Sequence, residues 1–219
     1  LRSGNLNLTA VVLAGGYSSR FYPYSNSGHK TMIKIMGKPI LEYTLLGLKA
    51  VGIREIILRV SEDKVIESYF GDGREFGLKI TYIAQKEALG MGEVLLNAKK
   101  YLKGDFILIF ANHVSSKELI EELVKNKKKG SKGAVLVKRR ENPWDYGAAE
   151  IKNGKLVRVV EKPEKGKEPS KLCLVGAFLL PLDIIDVVGK IKMSEYNFEE
   201  EALSLYAKDN PLDVSVVYE

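Results

Sequence analysis

The sequence predicts an α/β fold with a mostly parallel, mixed sheet covered by helices. Three observations lead there. Apolar, β-branched runs alternate with segments of helical spacing through the first 140 residues. The first run opens into a long glycine-rich loop instead of a helix. Beyond Glu141 the pattern changes to alternating strands around a turn, so the sheet cannot be purely parallel.

In chain order, strands are expected over 8–14, 55–60, 79–84, 105–111 and 133–138. Between them, 40–51, 61–70, 92–102 and 116–129 carry helical spacing, with Ser61 and Ser116 as N-caps. Parallel sheets bind ligands at the carboxyl ends of their strands. Gly15, Gln85 and His113 each follow a strand candidate, which predicts one shared cleft. Residues 144–151 and 155–160 read as a hairpin turning at Lys152-Asn153-Gly154-Lys155. A polar Pro/Gly loop over 164–170 precedes a strand over 172–180. Helices near 183–190 and 198–208 and a strand over 212–217 complete the chain.

Length and composition bound the function. With 219 residues, 45% hydrophobic and 28% charged, the chain can bury a substantial core as one domain. A single cysteine, Cys173, excludes an internal disulfide framework, and its apolar setting reads as a buried, inert thiol. No apolar stretch is long enough for a membrane span, and the start lacks an apolar signal core. A cytoplasmic protein is the expectation. The net charge of +6 is not interleaved with aromatics, so nucleic acid is not expected as a partner. Its densest run, 125–132, reads as a solvated helix end.

The glycine-rich loop carries the chemistry. It runs Leu13-Ala14-Gly15-Gly16-Tyr17-Ser18-Ser19-Arg20 and continues to Lys30. Paired glycines let backbone approach an anion, and successive N–H groups can form an anion-binding concavity. Arg20 and Lys30 add fixed positive charge, which suggests a triphosphate cradle. A P-loop is excluded because His29 intrudes in Gly28-His29-Lys30-Thr31. A dinucleotide fingerprint is excluded by the missing third glycine. Taken alone, Gly15-Gly16 also suits a plain strand-to-loop turn with a solvated arginine.

Residues 13–30, followed by Gly37-Lys38-Pro39-Ile40-Leu41-Glu42-Tyr43, resemble the signature of the sugar-1-phosphate nucleotidyltransferases, the NDP-sugar pyrophosphorylases. Three further segments match in family order. Gln85-Lys86-Glu87-Ala88-Leu89-Gly90 is similar to the run that reads the base, a task suited to an amide with coplanar donors and acceptor. Tyr146-Gly147 with Glu161-Lys162-Pro163 resembles the sugar and phosphate motifs, and Gly176 follows in the matching strand. The chain departs from the pattern at Ser18, at Ser19 and at His113, which stands where the family has a metal-binding Asp. Glu201, in Glu199-Glu200-Glu201-Ala202-Leu203, falls at the second metal carboxylate.

The resemblance implies a single Rossmann-like α/β/α domain over 1–219. Residues 1–140 would be the nucleotide-binding half and 141–219 the sugar-phosphate half, with no C-terminal β-helix. It implies transfer of a nucleotidyl group from an NTP to a sugar-1-phosphate, giving NDP-sugar and pyrophosphate. Arg20 and Lys30 would be catalytic. Leu13, Ala14, Gly15, Gly16, Gln85 and Gly90 would bind nucleotide. Gly147, Glu161, Lys162 and Gly176 would bind substrate, and His113 and Glu201 would hold Mg²⁺ or another divalent cation. A homo-oligomer is compatible with this reading. The departures support an alternative, a catalytically impaired relative that binds nucleotide or sugar phosphate or serves as a regulatory subunit. Transfer to a phosphorylated alcohol other than a sugar is a third reading.

Overall fold

The computed structural model describes residues 8–15, 29–84, 90–111, 117–191 and 198–218, and it has the expected α/β class. The chain divides into two compact units. One comprises residues 1–87 and 107–121, the other 88–106 and 122–219.

The first unit contains β1 (Thr9–Leu13), β2 (Lys34–Ile35), β3 (Lys38–Pro39), α1 (Ile40–Ala50), β4 (Glu55–Val60), α2 (Val65–Phe70) and β5 (Lys79–Ala84). The segment 107–110 of β6 (Phe106–Phe110) belongs to it as well. Its strands lie in the order β5-β4-β1-β6, with β1, β4 and β5 parallel. Ala10, Val11, Val12, Ile56, Ile57 and Leu58 are at most 2% exposed on consecutive positions, as a sheet covered on both faces requires.

Helix α1 buries Leu41, Leu45 and Leu48 at its i, i+4, i+7 positions and starts just after Pro39. It stops at Gly52, whose φ of +94° allows the left-handed cap, and Ile53 N–H closes onto Leu48 O at 3.0 Å. A β2–β3 hairpin stands between Lys30 and α1, where the sequence marks no strand. Its two turn residues, Met36 and Gly37, both have positive φ, the geometry that matches strand twist. Helix α2 corrects another expectation. It begins at Val65 rather than Ser61: Lys64 takes the N-cap position with φ of +57°, and Asp63 Oδ1 accepts the Val65 N–H at 3.2 Å in a local turn.

The second unit contains α3 (Gly90–Ala98), β7 (Gly133–Arg139), β8 (Gly147–Lys152), β9 (Lys155–Glu161), β10 (Leu172–Leu180), α5 (Ile184–Val188), α6 (Ser204–Asp209) and β11 (Leu212–Val216), with α4 (Lys117–Lys125) starting in the first unit. Its strands run β10-β7-β11-β9-β8, and β8 pairs back to β10 through Ala148 and Cys173. Only β7 and β11 are parallel among these pairs. The β8–β9 hairpin turns at Asn153 and Gly154, with φ of +53° and +71°, as the sequence predicts. Cys173 is fully buried, and burial raises its thiol to about 11, which keeps it an inert thiol. The basic run departs from its expected place on a helix, since α4 ends at Lys125; beyond it, Lys127 pairs with Asp105.

Asp213 anchors this unit. It is 2% exposed, accepts the Lys128 N–H at 2.8 Å and pairs with Lys155 at 2.5 Å. Burial opposes its ionisation, but Lys155, the Lys128 N–H and Ser131 outweigh burial and hold the carboxyl below its ordinary range.

Candidate functional site

In the first unit the site begins where β1 ends. Ala111 N–H donates to Leu13 O and Ala14 N–H donates to Arg59 O, both at 3.1 Å, so the strand is held from both sides up to Gly15. Lys30 opens a 3-10 turn, Lys30–Met32, and is half-buried. Its two neighbours are buried anchors. Thr31 Oγ1 donates to Ala14 O at 3.0 Å. His29 Nε2 lies 2.6 Å from Asp63 Oδ2, with the imidazole completely enclosed. An ionised carboxylate only accepts, so Nε2 carries the proton in this pair. Lys30 is thereby fixed beside the end of β1, where the glycine loop starts.

The missing side chain at Gly15 leaves room for the Arg59 guanidinium. A Cβ there would collide with Arg59 Nη1 and stand 2.9 Å from Arg59 Cζ. Gly16, Ser18, Ser19, Arg20, Gln85, His113 and Ser116 lie outside the described residues. Gly90 opens α3 in the second unit with φ of +82°, a conformation that favours glycine.

The second unit gathers Gly147, Glu161 and Lys162. Gly147 pairs with Glu161 across β8 and β9. A Cβ at Gly147 would stand 3.0 Å from Glu161 Oε2 and 3.5 Å from Glu199 Oε2, so the absence of a side chain leaves room for two carboxyl groups. Lys162 N–H donates to Tyr146 O at 3.0 Å, extending the hairpin ladder by one residue. Lys162 adopts φ of +45°, a strained conformation for a lysine and one found at functional sites. Its Nζ lies 3.9 Å from Glu161 Oε1.

Glu199 is the residue that sequence reasoning missed. It lies in a six-residue π-helical stretch, Phe198–Leu203, which turns Phe198, Ala202 and Leu203 into the core. Phe198 meets Phe178 edge to face at 5.9 Å. Ser204 ties the stretch to β9, accepting the Val159 N–H at 2.9 Å and donating to Glu199 O at 3.3 Å. The residue keeps partial exposure while its carboxyl is enclosed by protein. Burial, then the charge of Glu161 and a hydrogen bond with Glu161, raise that carboxyl far above the ordinary range, and Lys162 opposes the rise. The neutral form of Glu199 is thereby favoured beside Glu161.

Glu201 is exposed, as is Glu200. Among the described residues no three acidic, histidine or cysteine side chains are grouped to hold a metal ion. His113, the other member of the expected metal-binding pair, lies outside the described residues. Gly176 sits in β10 with φ of +71°, within the shift of register between Leu174 and Phe178.

Comparison with known proteins completes the assignment. The chain is 30% identical over 217 residues to the low-salt glycan biosynthesis nucleotidyltransferase Agl11 of Haloferax volcanii, covering 96% of this chain and 60% of that protein. It is 32% identical over 191 residues to a glucose-1-phosphate thymidylyltransferase of Streptomyces antibioticus, covering 85% of this chain and 53% of that protein. The chain thus spans little more than half the length of these relatives. Among solved structures, a UDP-glucose pyrophosphorylase complexed with UDP-glucose superposes with a TM-score of 0.78 at 21% identity, covering 95% of this chain and 90% of the other. A UTP-bound UGPase from Acinetobacter baumannii gives 0.76 at 19% identity, covering 96% and 86%. The Nucleotidyl transferase family matches residues 9–218, and with the fold and motif order described above, the chain belongs to that family.

Proposed function

We propose that the chain catalyses transfer of a nucleotidyl group from an NTP to a sugar-1-phosphate, releasing pyrophosphate. The observation that carries this reading is Lys30, held by buried neighbours on either side at the mouth of the glycine loop. Relatives named for this chemistry support it. A phosphate oxygen of the sugar phosphate attacks the α-phosphorus of the NTP, and the bond to the pyrophosphate oxygen breaks. The nucleophile is already anionic, so no protein base is needed. The obstacle is repulsion, about 4 kcal/mol for unit charges 4 Å apart at an effective dielectric near 20.

Lys30 and Arg20 would offset that charge at the triphosphate, and Lys162 at the sugar phosphate. Glu161 would accept hydrogen bonds from sugar hydroxyls beside Gly147. Leu13, Ala14, Gly15, Gly16, Gln85 and Gly90 would hold the nucleotide, and Gly176 would line the sugar side. Residues 1–140 and 141–219 remain our proposed nucleotide and sugar-phosphate halves. A divalent cation, carried in with the NTP, would supply further charge neutralisation. Among the described residues no helix is long and apolar enough to cross a membrane, and we assign the protein to the cytoplasm on that reading.

The test is pyrophosphate release across a panel of NTPs and sugar-1-phosphates, with and without chelator. Release with one pair, abolished by chelation and reduced at least about a hundredfold by Lys30→Ala, is expected. The exposure of Glu201 favours one second reading, binding without turnover. Nucleotide binding with no release across the panel would establish that reading in place of the first.

A further inference from the structure

We propose that Arg59 is a further phosphate-binding cation beside Gly15, additional to Lys30 and Arg20. This inference rests on the nucleotidyl-transfer reading and deepens it, since its ligand is the polyphosphate tail of the nucleotide.

Strands β1 and β4 are parallel, with Leu13 opposite Arg59, so their carboxyl ends lie side by side. Ile56, Ile57, Leu58 and Val60 are all at most 2% exposed, which makes β4 a core strand. Arg59 is half-buried at its carboxyl end, the end at which parallel sheets take ligands. Its carbonyl accepts the Ala14 N–H at 3.1 Å, and its guanidinium then lies over Gly15. A side chain at Gly15 would occupy the position of Nη1, with Cζ only 2.9 Å away. The glycine therefore lets a guanidinium rest against the backbone at the end of β1.

Lys30 opens the turn that carries Thr31. Thr31 Oγ1 donates to Ala14 O at 3.0 Å, so the backbone next to Lys30 is tied to the residue before Gly15, the glycine under the Arg59 guanidinium. A guanidinium stays charged and presents a planar fork that matches two phosphate oxygens, whereas an ammonium acts as a point charge. The combination suits an elongated anion with several phosphate groups.

The experiment compares wild type with Arg59→Gln, Arg59→Lys and Gly15→Ala in two assays. Calorimetry measures binding of inorganic tripolyphosphate, and pyrophosphate release gives separate KM values for NTP and sugar-1-phosphate. Arg59→Gln should weaken tripolyphosphate binding and raise the NTP KM by about tenfold, with the sugar-1-phosphate KM within about twofold of wild type. Arg59→Lys should lose about threefold, because charge remains and the fork is lost. Gly15→Ala should resemble Arg59→Gln by displacing the guanidinium, which keeps the test open if Arg59→Gln does not fold.

Unchanged tripolyphosphate affinity and NTP KM in folded variants of an active wild type would overturn the role of Arg59 and leave the transfer reading standing. Arg59-dependent tripolyphosphate binding without turnover would support Arg59 and count against transfer. A wild type that neither binds tripolyphosphate nor turns over would overturn both.

Discussion

Breaking the contact between His29 and Asp63 tests how Lys30 is held. The pair is 2.6 Å long, the imidazole is fully enclosed, and the Asp63 side chain is 28% exposed. Net hydrogen bonds to charged groups contribute about 1.5–3 kcal/mol, and the exposure of Asp63 puts this one near the lower end, about 1.5–2 kcal/mol. Asp63 also accepts the Val65 N–H, so truncation to alanine would mix two losses. Asp63→Asn keeps an acceptor for that bond and removes the charge. For a chain of this size, about 2–4 °C of Tm accompanies each kcal/mol, so Tm should fall by about 3–8 °C. Unfolding of wild type, Asp63→Asn, His29→Gln and the double variant closes a thermodynamic cycle that isolates the pair. The NTP KM should rise in both single variants, and that of sugar-1-phosphate should not. A coupling below about 0.5 kcal/mol, or equal rises in both KM values, would refute the idea that this pair positions Lys30.

Three other outcomes follow from the second unit. Gly147→Ala places a Cβ 3.0 Å from Glu161 Oε2; the sugar-1-phosphate KM should rise by about three- to tenfold in a kinetic assay, with Tm changed by no more than about 3 °C. Glu199 has a raised pKa because burial and Glu161 disfavour its charge, so the native state holds a proton that the unfolded chain has released. Stability should therefore fall as pH climbs from the ordinary glutamate range through the raised value, and Glu199→Gln should flatten that slope in Tm measured against pH. Asp213 has the opposite sign. Its lowered pKa contributes stability above the unfolded value that is lost as pH falls through the folded one, and Asp213→Asn should cost about 2–3 kcal/mol in urea unfolding at neutral pH and remove that acid limb.

Much of the fold was readable in advance because its signals are local. Alternating apolar runs mark the strands, and Asn153-Gly154 marks the hairpin through the positive φ its turn requires. Gly15-Gly16 and Lys30 are legible in the sequence as a candidate anion site after the first strand. Helix starts were less readable. Ser61 has the side chain of a good cap, yet α2 starts after Lys64, a residue with no capping side chain.

The candidate site divides along the same line. Its residue types were determined by the sequence itself: glycines where backbone bends or is closely approached, lysines proposed to face phosphate, and a motif order that spans the chain. Which groups meet was decided only by tertiary structure. His29 and Asp63 are 34 positions apart, and Arg59 reaches Gly15 only because β1 and β4 pair in register. Three consecutive glutamates look alike in sequence, yet the π-helical stretch carries Glu199 toward Glu161 and leaves Glu200 and Glu201 exposed. The physical reason is that propensity and turn chemistry act over a few residues, whereas burial and charge coupling depend on neighbours that the folded chain alone brings close.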